Sequence, residues 1–496
     1  MFRVSLTFSA FVLASGLATA DPVFVNGLVI PGDSTDDTRA QGANAGRLGM
    51  FSDIYYDASR GEWWGLSDRG PGGGVIDYAT RVQLFSIQHN KKTGEIFNFK
   101  VLETVRFQDY YGLLSDPANG SPSAMNGLNP LLLNGDASVL GQSFDPEGFV
   151  IDPRDGKFIV ADEYGPSLYK FARNGRLEQV FETPANLVPR LRNADGTPGA
   201  ADYVAVRGDA ALNTGTFFGR QDNRGYEGLA VTPDGKRLVT VLQDPLINEP
   251  GPNNGRNGRN VRIVMFDNDL ASANYGKAIA QYAYQLEPQA NVSARIIAAG
   301  GSATATDPRQ GRNIGLSAIV AINQNEFLVL ERDNRGLGVD DPVGANVVGS
   351  KRVYRIDLRG ATDVSAITLP GGALPSGVTP VAKSAVWLDL AAISVLPNGK
   401  KAEKWEGLAI GPVLQDGSFL ILAGNDNDYS VTQNGSNVQF DVYVDFAGNS
   451  VQRDLDQHEM LNGINVGPVP AGYVLIPGVL NAYRAAPADL PGYIRP

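Results

Sequence analysis

One hairpin pattern recurs five times along the chain, and this recurrence limits the possible folds more than any other feature. The copies read SDIYYDASRGEWWGLSD from Ser52, EGFVIDPRDGKFIVADE from Glu147, EGLAVTPDGKRLVTVLQ from Glu227, SAIVAINQNEFLVLERD from Ser317 and EGLAIGPVLQDGSFLILAGND from Glu406. Each has an apolar strand, a turn, a second apolar strand and a polar end. In an antiparallel hairpin the first residue of one strand lies beside the last residue of the other. Glu147 is therefore expected beside Asp162 and Glu163, Glu227 beside Gln243 and Asp244, and Glu406 beside Asn425 and Asp426. If the hairpins are arranged radially, their mouths converge on an acidic ring. Such a ring either binds a cation or is costly to build.

The starts of the copies are 95, 80, 90 and 89 residues apart. Self-similarity at this spacing points to a solenoid or a propeller. A further strand-like run follows each hairpin: VQLFSIQ at Val82, SLYKFAR at Ser167, VRIVMFD at Val261, RVYRIDL at Arg352 and FDVYVDF at Phe440. Fourth strands are expected at Ile96, Leu177 and Ile279. Four antiparallel strands make one propeller blade. The expected fold is all-β: a propeller with five recognisable four-stranded blades, or six if one lies in the insertions. VFVNGLVI at Val23 is expected to close the ring by adding a strand to the last blade. Polar insertions rich in Gly and Pro, at Asp116–Gly141, Pro184–Arg224 and Glu249–Asn260, separate the blades. Loops on a rigid scaffold commonly carry function. The competing reading is a β-sandwich followed by a second domain.

With 58 Gly, 30 Pro and 19% charged residues, the composition suits many short strands joined by turns. Residues 1–20 read as a secretory signal, with Arg3, an apolar run from Val4 to Leu13 and Ala18-Thr19-Ala20 as the cleavage site. Residues 21–496 would then form a single propeller domain, periplasmic or extracellular. Removal of Arg3 takes the net charge from −11 to −12. No later stretch reads as an integral membrane segment. The absence of cysteine leaves stability to the core and to bound ions, and excludes thiolate chemistry. The acidic balance, with a pI of about 4.9, argues against nucleic acid as a partner. The expected form is a monomer acting on a small molecule.

The chain has only two histidines, His89 in a turn and His458 near the C-terminus, and no G-x-S-x-G elbow. A Ser-His-Asp hydrolase and histidine-rich metal sites are both disfavoured. Carboxylates carry the remaining chemistry, and all-oxygen sites select hard cations, chiefly Ca2+. Glu147, Glu227 and Glu406 rank first, because each opens a strand and is followed by a Gly that lets a neighbouring backbone or an ion approach. Asp162, Glu163, Glu331, Asp333 and Asp426 follow at the hairpin ends, with Asp68 equivalent in the first copy. Arg69 in SDRG and Arg332 in ERD offer forked donors for a phosphate or carboxylate, or form ion pairs with the acids.

These residues resemble the phytase-like esterase family of secreted bacterial β-propellers. The resemblance rests on SDRGPGGG at Ser67, DPEGFVIDPRDGKFIVADEYGPSLYKF at Asp145, YEGLAVTPDGKRL at Tyr226, LVLERDN at Leu328 and KWEGLAIGP at Lys404. It implies hydrolysis of a phosphoester or related ester. The expected mechanism is cation-dependent, with Glu147 or Glu227 as general base and Arg69 and Arg332 on the anionic group. Two alternatives stand beside it. One is a calcium-dependent lactonase or carboxylesterase, whose group of propellers also opens strands with Glu-Gly. The other is a non-catalytic binding propeller of the cell envelope. The first and fourth copies depart from the pattern, with Ser52-Asp53 and Leu316-Ser317 in place of Glu-Gly.

Overall fold

In the computed structural model, residues 21–36, 46–114, 123–205, 214–249, 258–302 and 314–496 are described. The segment read as a signal, residues 1–20, lies outside them, as do parts of the insertions. Five antiparallel sheets of four strands form the blades. From inside to outside, blade 1 comprises Asp53–Asp57, Glu62–Leu66, Arg81–His89 and Ile96–Arg106. Blade 2 comprises Pro146–Ile151, Phe158–Asp162, Ser167–Phe171 and Leu177–Val180. Blade 3 has Tyr226–Val231, Arg237–Leu242, Asn260–Asp267 and Ala278–Gln285. Blade 4 has Ile314–Ala321, Glu326–Asp333, Lys351–Asp357 and Ala382–Asp389.

Blade 5 joins the two ends of the chain. Its strands run Lys404–Val413, Phe419–Asp426, Gly478–Ala485 and Val23–Ile30. The expected closure by the N-terminal strand is therefore present. It is locked by Asn26, whose side chain donates to Ile96 O (2.8 Å) and accepts from Ile96 N (2.9 Å) on the outer strand of blade 1. The third strand of this blade differs from the sequence reading. The run at Phe440 lies instead in a small inserted sheet of Val431–Gln433, Gln439–Val444 and Ser450–Asp454, with Val474–Leu475 alongside. The insertion is clamped to the first blade's loops. Arg47 pairs with Asp441 (2.5 Å) and Asp456 (3.0 Å), and the Tyr429 hydroxyl donates to Tyr78 (2.7 Å).

The innermost strands pack against one another in the order 1, 2, 3, 4, 5 and back to 1. They are buried on both sides, which is why they read as continuous apolar runs rather than alternating ones. The core lies between successive sheets. Phe51, fully buried between blades 5 and 1, shows how tightly they meet: a Cβ on Gly424 would lie 2.5 Å from its ring. Burying such a ring contributes about 1.5–3 kcal/mol.

The register of the inner hairpins sets the site. In blade 2, Pro146 pairs with Asp162 and Gly148 with Ala161, so Glu147 is the extra residue of a bulge. The same shift occurs between Tyr226 and Leu229, between Leu316 and Ala318, and between Trp405 and Gly407. Glu227, Ser317 and Glu406 are thus displaced in the same manner. A bulge re-aims a side chain at the end of a sheet. The glycines behind these glutamates make the displacement possible. A Cβ on Gly148 would lie 2.6 Å from Leu229 N, one on Gly228 2.6 Å from Ile319 N, and one on Gly407 2.7 Å from Ile54. Each glycine lets the next blade approach. At the other junctions Ser317 Oγ donates to Trp405 O (2.9 Å), and Asp53 accepts from Phe149 N (2.8 Å).

Candidate functional site: the acidic mouth

The channel between the inner strands has two unlike ends. Where the strands have run inward it is apolar, lined by Ile54, Phe149, Leu229, Ile319 and Leu408 and covered by Tyr493. Where they begin it opens into a polar cavity of about 280 Å3. Nine carboxylates line this mouth: Asp68, Glu147, Glu163, Glu227, Asp340, Asp341, Glu403, Glu406 and Asp426. Only four cationic side chains face them, Arg69, Arg224, Arg332 and Lys404. Full ionisation would leave a large negative excess in this cavity.

That excess is visible in the acids themselves. Burial, and then the carboxylates of Asp145, Glu227, Glu406 and Glu163, hold the Glu147 carboxyl well above the usual range. Burial and Glu163 do the same to Glu227. Asp68 is raised by burial and by Asp426 and Asp145. Glu163 is pushed up to about 8 by burial and Asp145, and Asp426 to about 7 by burial and Asp428. Three carboxylate oxygens in the mouth are buried without a hydrogen-bond partner among the described residues: Glu147 Oε2, Glu163 Oε1 and Glu403 Oε2. Oxygen donors left unmatched beside other carboxylates fit a hard cation. One carboxylate oxygen from each of Asp68, Asp145 and Glu147 lies within 4.8 Å of the others.

The arginines are already engaged. Arg69 donates to Asp145 from Nη1 (2.9 Å) and from its backbone N (3.1 Å), and lies over the Tyr164 ring. Arg332 pairs with Glu406 and Asn334, yet its Nε is buried with no partner. Arg224 bonds Gln243 and lies 3.4 Å from Asp244, and Lys404 pairs with Asp428. The loop after Asp426 is strained: Asp428, Tyr429 and Ser430 all adopt left-handed φ of 49–61°. Such strain in consecutive non-glycine residues persists only where the surroundings impose it.

Of the residues expected from sequence, the mouth brings together Asp68, Arg69, Glu147, Glu163, Glu227, Arg332, Glu406 and Asp426. Three expected carboxylates are not among its lining. Asp162 accepts from the backbone N–H groups of Asp145 (2.9 Å), Tyr164 (3.2 Å) and Gly165 (2.7 Å), and so ties the end of blade 2. Glu331 points between blades 3 and 4, accepting from Tyr284 Oη (2.6 Å), Glu287 N (3.0 Å) and Lys383. Asp333 accepts from Gly349 N (2.6 Å) and Ser350 N (3.0 Å), with Lys351 Nζ at 3.0 Å. Ser52 and Ser317 are both buried, Ser317 at the joint of blades 4 and 5, and neither lines the cavity. The mouth also holds Arg224, Glu403, Lys404, Asp340 and Asp341, which the hairpin pattern does not mark, and Asp145 lies beside Asp68 and Glu147. Asp145 had a legible signal, since it precedes the Pro-Glu-Gly that opens blade 2. His89 ends a strand of blade 1, and His458 accompanies Tyr443 (2.7 Å) in the inserted sheet; neither lines the mouth.

The fold and the site thus define a five-bladed propeller with an acidic cavity at one end of its channel. The chain belongs to the phytase-like family: the model described as esterase-like activity of phytase matches residues 46–429. An uncharacterized secreted protein of Arthroderma benhamiae is 30% identical over 328 residues, which is 59% of this chain and 59% of that protein. The Dos1 propeller covers 88% of this chain and 68% of its own, at 10% identity and a TM-score of 0.26. Among the described residues no helix is long and apolar enough to cross a membrane.

Proposed function

We propose that the protein is a secreted, cation-dependent hydrolase of a phosphoester or related ester, acting at the acidic mouth. The family description supports ester hydrolysis, and the relative's description as secreted accords with the signal-like residues 1–20. The observation that carries the reading is the set of buried carboxylate oxygens without partners in a cavity that also presents guanidinium groups. A bound divalent cation, Ca2+ by the hardness of the donors, would polarise the ester oxygen and acidify an adjacent water.

The chain's own residues do the rest. Glu227 lines the mouth, where burial opposes its carboxylate form and the nearby charges of Arg332 and Arg224 favour it, and takes the proton of the attacking water. Glu163, buried in the same cavity, returns that proton to the leaving alkoxide. Water thus adds across the ester bond, giving an acid and an alcohol. Arg332 holds the anionic group through the Nε left free by Glu406 and Asn334. Arg69 steadies Asp145 and presents its remaining donors to the same group.

The pairing of both arginines with acids favours one second reading, an uncharged lactone or carboxylic ester as substrate. Steady-state kinetics on a phosphomonoester and an uncharged aryl ester, with Ca2+ supplied, separate the two. Glu227→Gln should lower kcat on both by about 100-fold or more, the usual contribution of a general base. Arg332→Ala should raise KM for the phosphomonoester by about tenfold and spare the aryl ester, as loss of one charge-assisted hydrogen bond would. Equal damage on both substrates by Arg332→Ala would favour the uncharged substrate. Full activity of Glu227→Gln would overturn the proposed base.

A further inference from the structure

We propose that the cation sits off the channel axis, at the junction of blades 1 and 2, between the carboxylates of Asp68, Asp145 and Glu147. The inference rests on the cation-dependent reading above and assigns that cation its seat. Asp68 follows the second strand of blade 1, and Asp145 and Glu147 flank the first residue of the inner strand of blade 2. Glu147 is the extra residue of the bulge that opens this strand. Their oxygens lie within 4.8 Å of one another. Two oxygens bound to one Ca2+ at about 2.3–2.6 Å can be no more than about 5 Å apart, so the three fit a single ion.

A second observation points to a ligand. Glu147 is 8% exposed, and its Oε2 is buried without a partner. Glu163, 2% exposed and outside the trio, leaves Oε1 equally unmatched in the same cavity. Structural carboxylates of this protein look different. Asp162 and Asp333 each receive two or more backbone N–H groups. In the trio Asp145 receives the Arg69 guanidinium and one backbone N–H, that of Arg69, Asp68 receives one backbone N–H, that of Gly70, and Glu147 receives nothing from the described residues. Asp145 keeps lone pairs for a cation beside Arg69, since a carboxylate has about four acceptor positions. Calcium takes about 6–8 oxygens, so the remaining positions open to the mouth for water and substrate.

Calcium titration by calorimetry, with terbium luminescence sensitised through the nearby Tyr164, tests the seat without reference to activity. The proteins are the wild type, Asp145→Asn, Glu147→Gln, Glu227→Gln and Glu406→Gln, each verified by circular dichroism. The first two substitutions should weaken binding by about tenfold or more, while the last two, which remove no ligand, change it by less than about threefold. Loss in Glu227→Gln or Glu406→Gln with binding kept in Glu147→Gln overturns the seat. So does equal weakening in all four, which would report the field of the whole ring, or no binding by the wild type. If Asp145→Asn fails to fold, Asp68→Asn and Glu147→Gln decide by the same criterion. The expected binding pattern without any ester turnover would sink the hydrolase reading alone. Turnover with the pattern reversed would sink the seat alone.

Discussion

Glu163 and Asp162 are neighbours in sequence with separate duties, and both contribute to how stability depends on pH. Burial lifts Asp162 to about 7 despite its three N–H donors, and lifts Glu163 to about 8 with help from Asp145. Both folded values lie above the unfolded ones, near 4. Between about pH 4 and 8 the folded state therefore binds more protons than the unfolded chain, and stability falls as pH rises through that window. A cation in the mouth replaces the protons that its neighbours would hold. Urea unfolding at pH 5 to 8 should show a decline with EDTA and a flatter profile with Ca2+. A profile that rises with pH in EDTA would contradict these assignments. The ring glutamates were legible because Glu-Gly opens three hairpins. Glu331 and Asp333 lie outside the lining of the mouth, because the polar end of a hairpin does not reveal which residue turns inward. The neighbours available to them, Lys383, Tyr284 and Lys351, come from strands the motif does not include.

The bulged inner strand is the element that converts a repeat into a site. Its glycine is under backbone, not solvent, constraint. Gly228→Ala would push a Cβ to 2.6 Å from Ile319 N and 2.8 Å from Ala318 Cα, atoms that cannot rotate away. A loss of about 1–3 kcal/mol is expected from such overpacking. Gly435→Ala, with nothing within 4 Å, should stay within about 0.5 kcal/mol of the wild type. Chemical denaturation of both variants measures the contrast, and a neutral Gly228→Ala would remove the proposed reason for Glu-Gly. The hairpins, the glycine contact and the closing strand could all be anticipated from repetition. The bulges could not, because an extra residue leaves the apolar pattern nearly unchanged. Nor could the third strand of blade 5: FDVYVDF and the true strand GVLNAYRA are both good strand sequences, and the former instead pairs within the inserted sheet that Arg47 and Tyr78 hold.

The whole molecule is a ring fastened by its own N-terminal strand, with an apolar base and an acidic mouth. The blades need no disulfide, since each is pinned between two neighbours by a continuous core. What the ring leaves unbalanced is charge at the mouth, and a cation there would serve both stability and chemistry. A ligand bound only by the folded state stabilises it by about 2.7 kcal/mol at a hundredfold excess over Kd. The most direct test is a calcium titration of EDTA-treated wild-type protein, following hydrolysis of an aryl phosphate and the melting temperature in the same samples. Activity and melting temperature should rise together and saturate over the same concentration range. An unchanged melt, with turnover either absent or indifferent to calcium, would contradict the account.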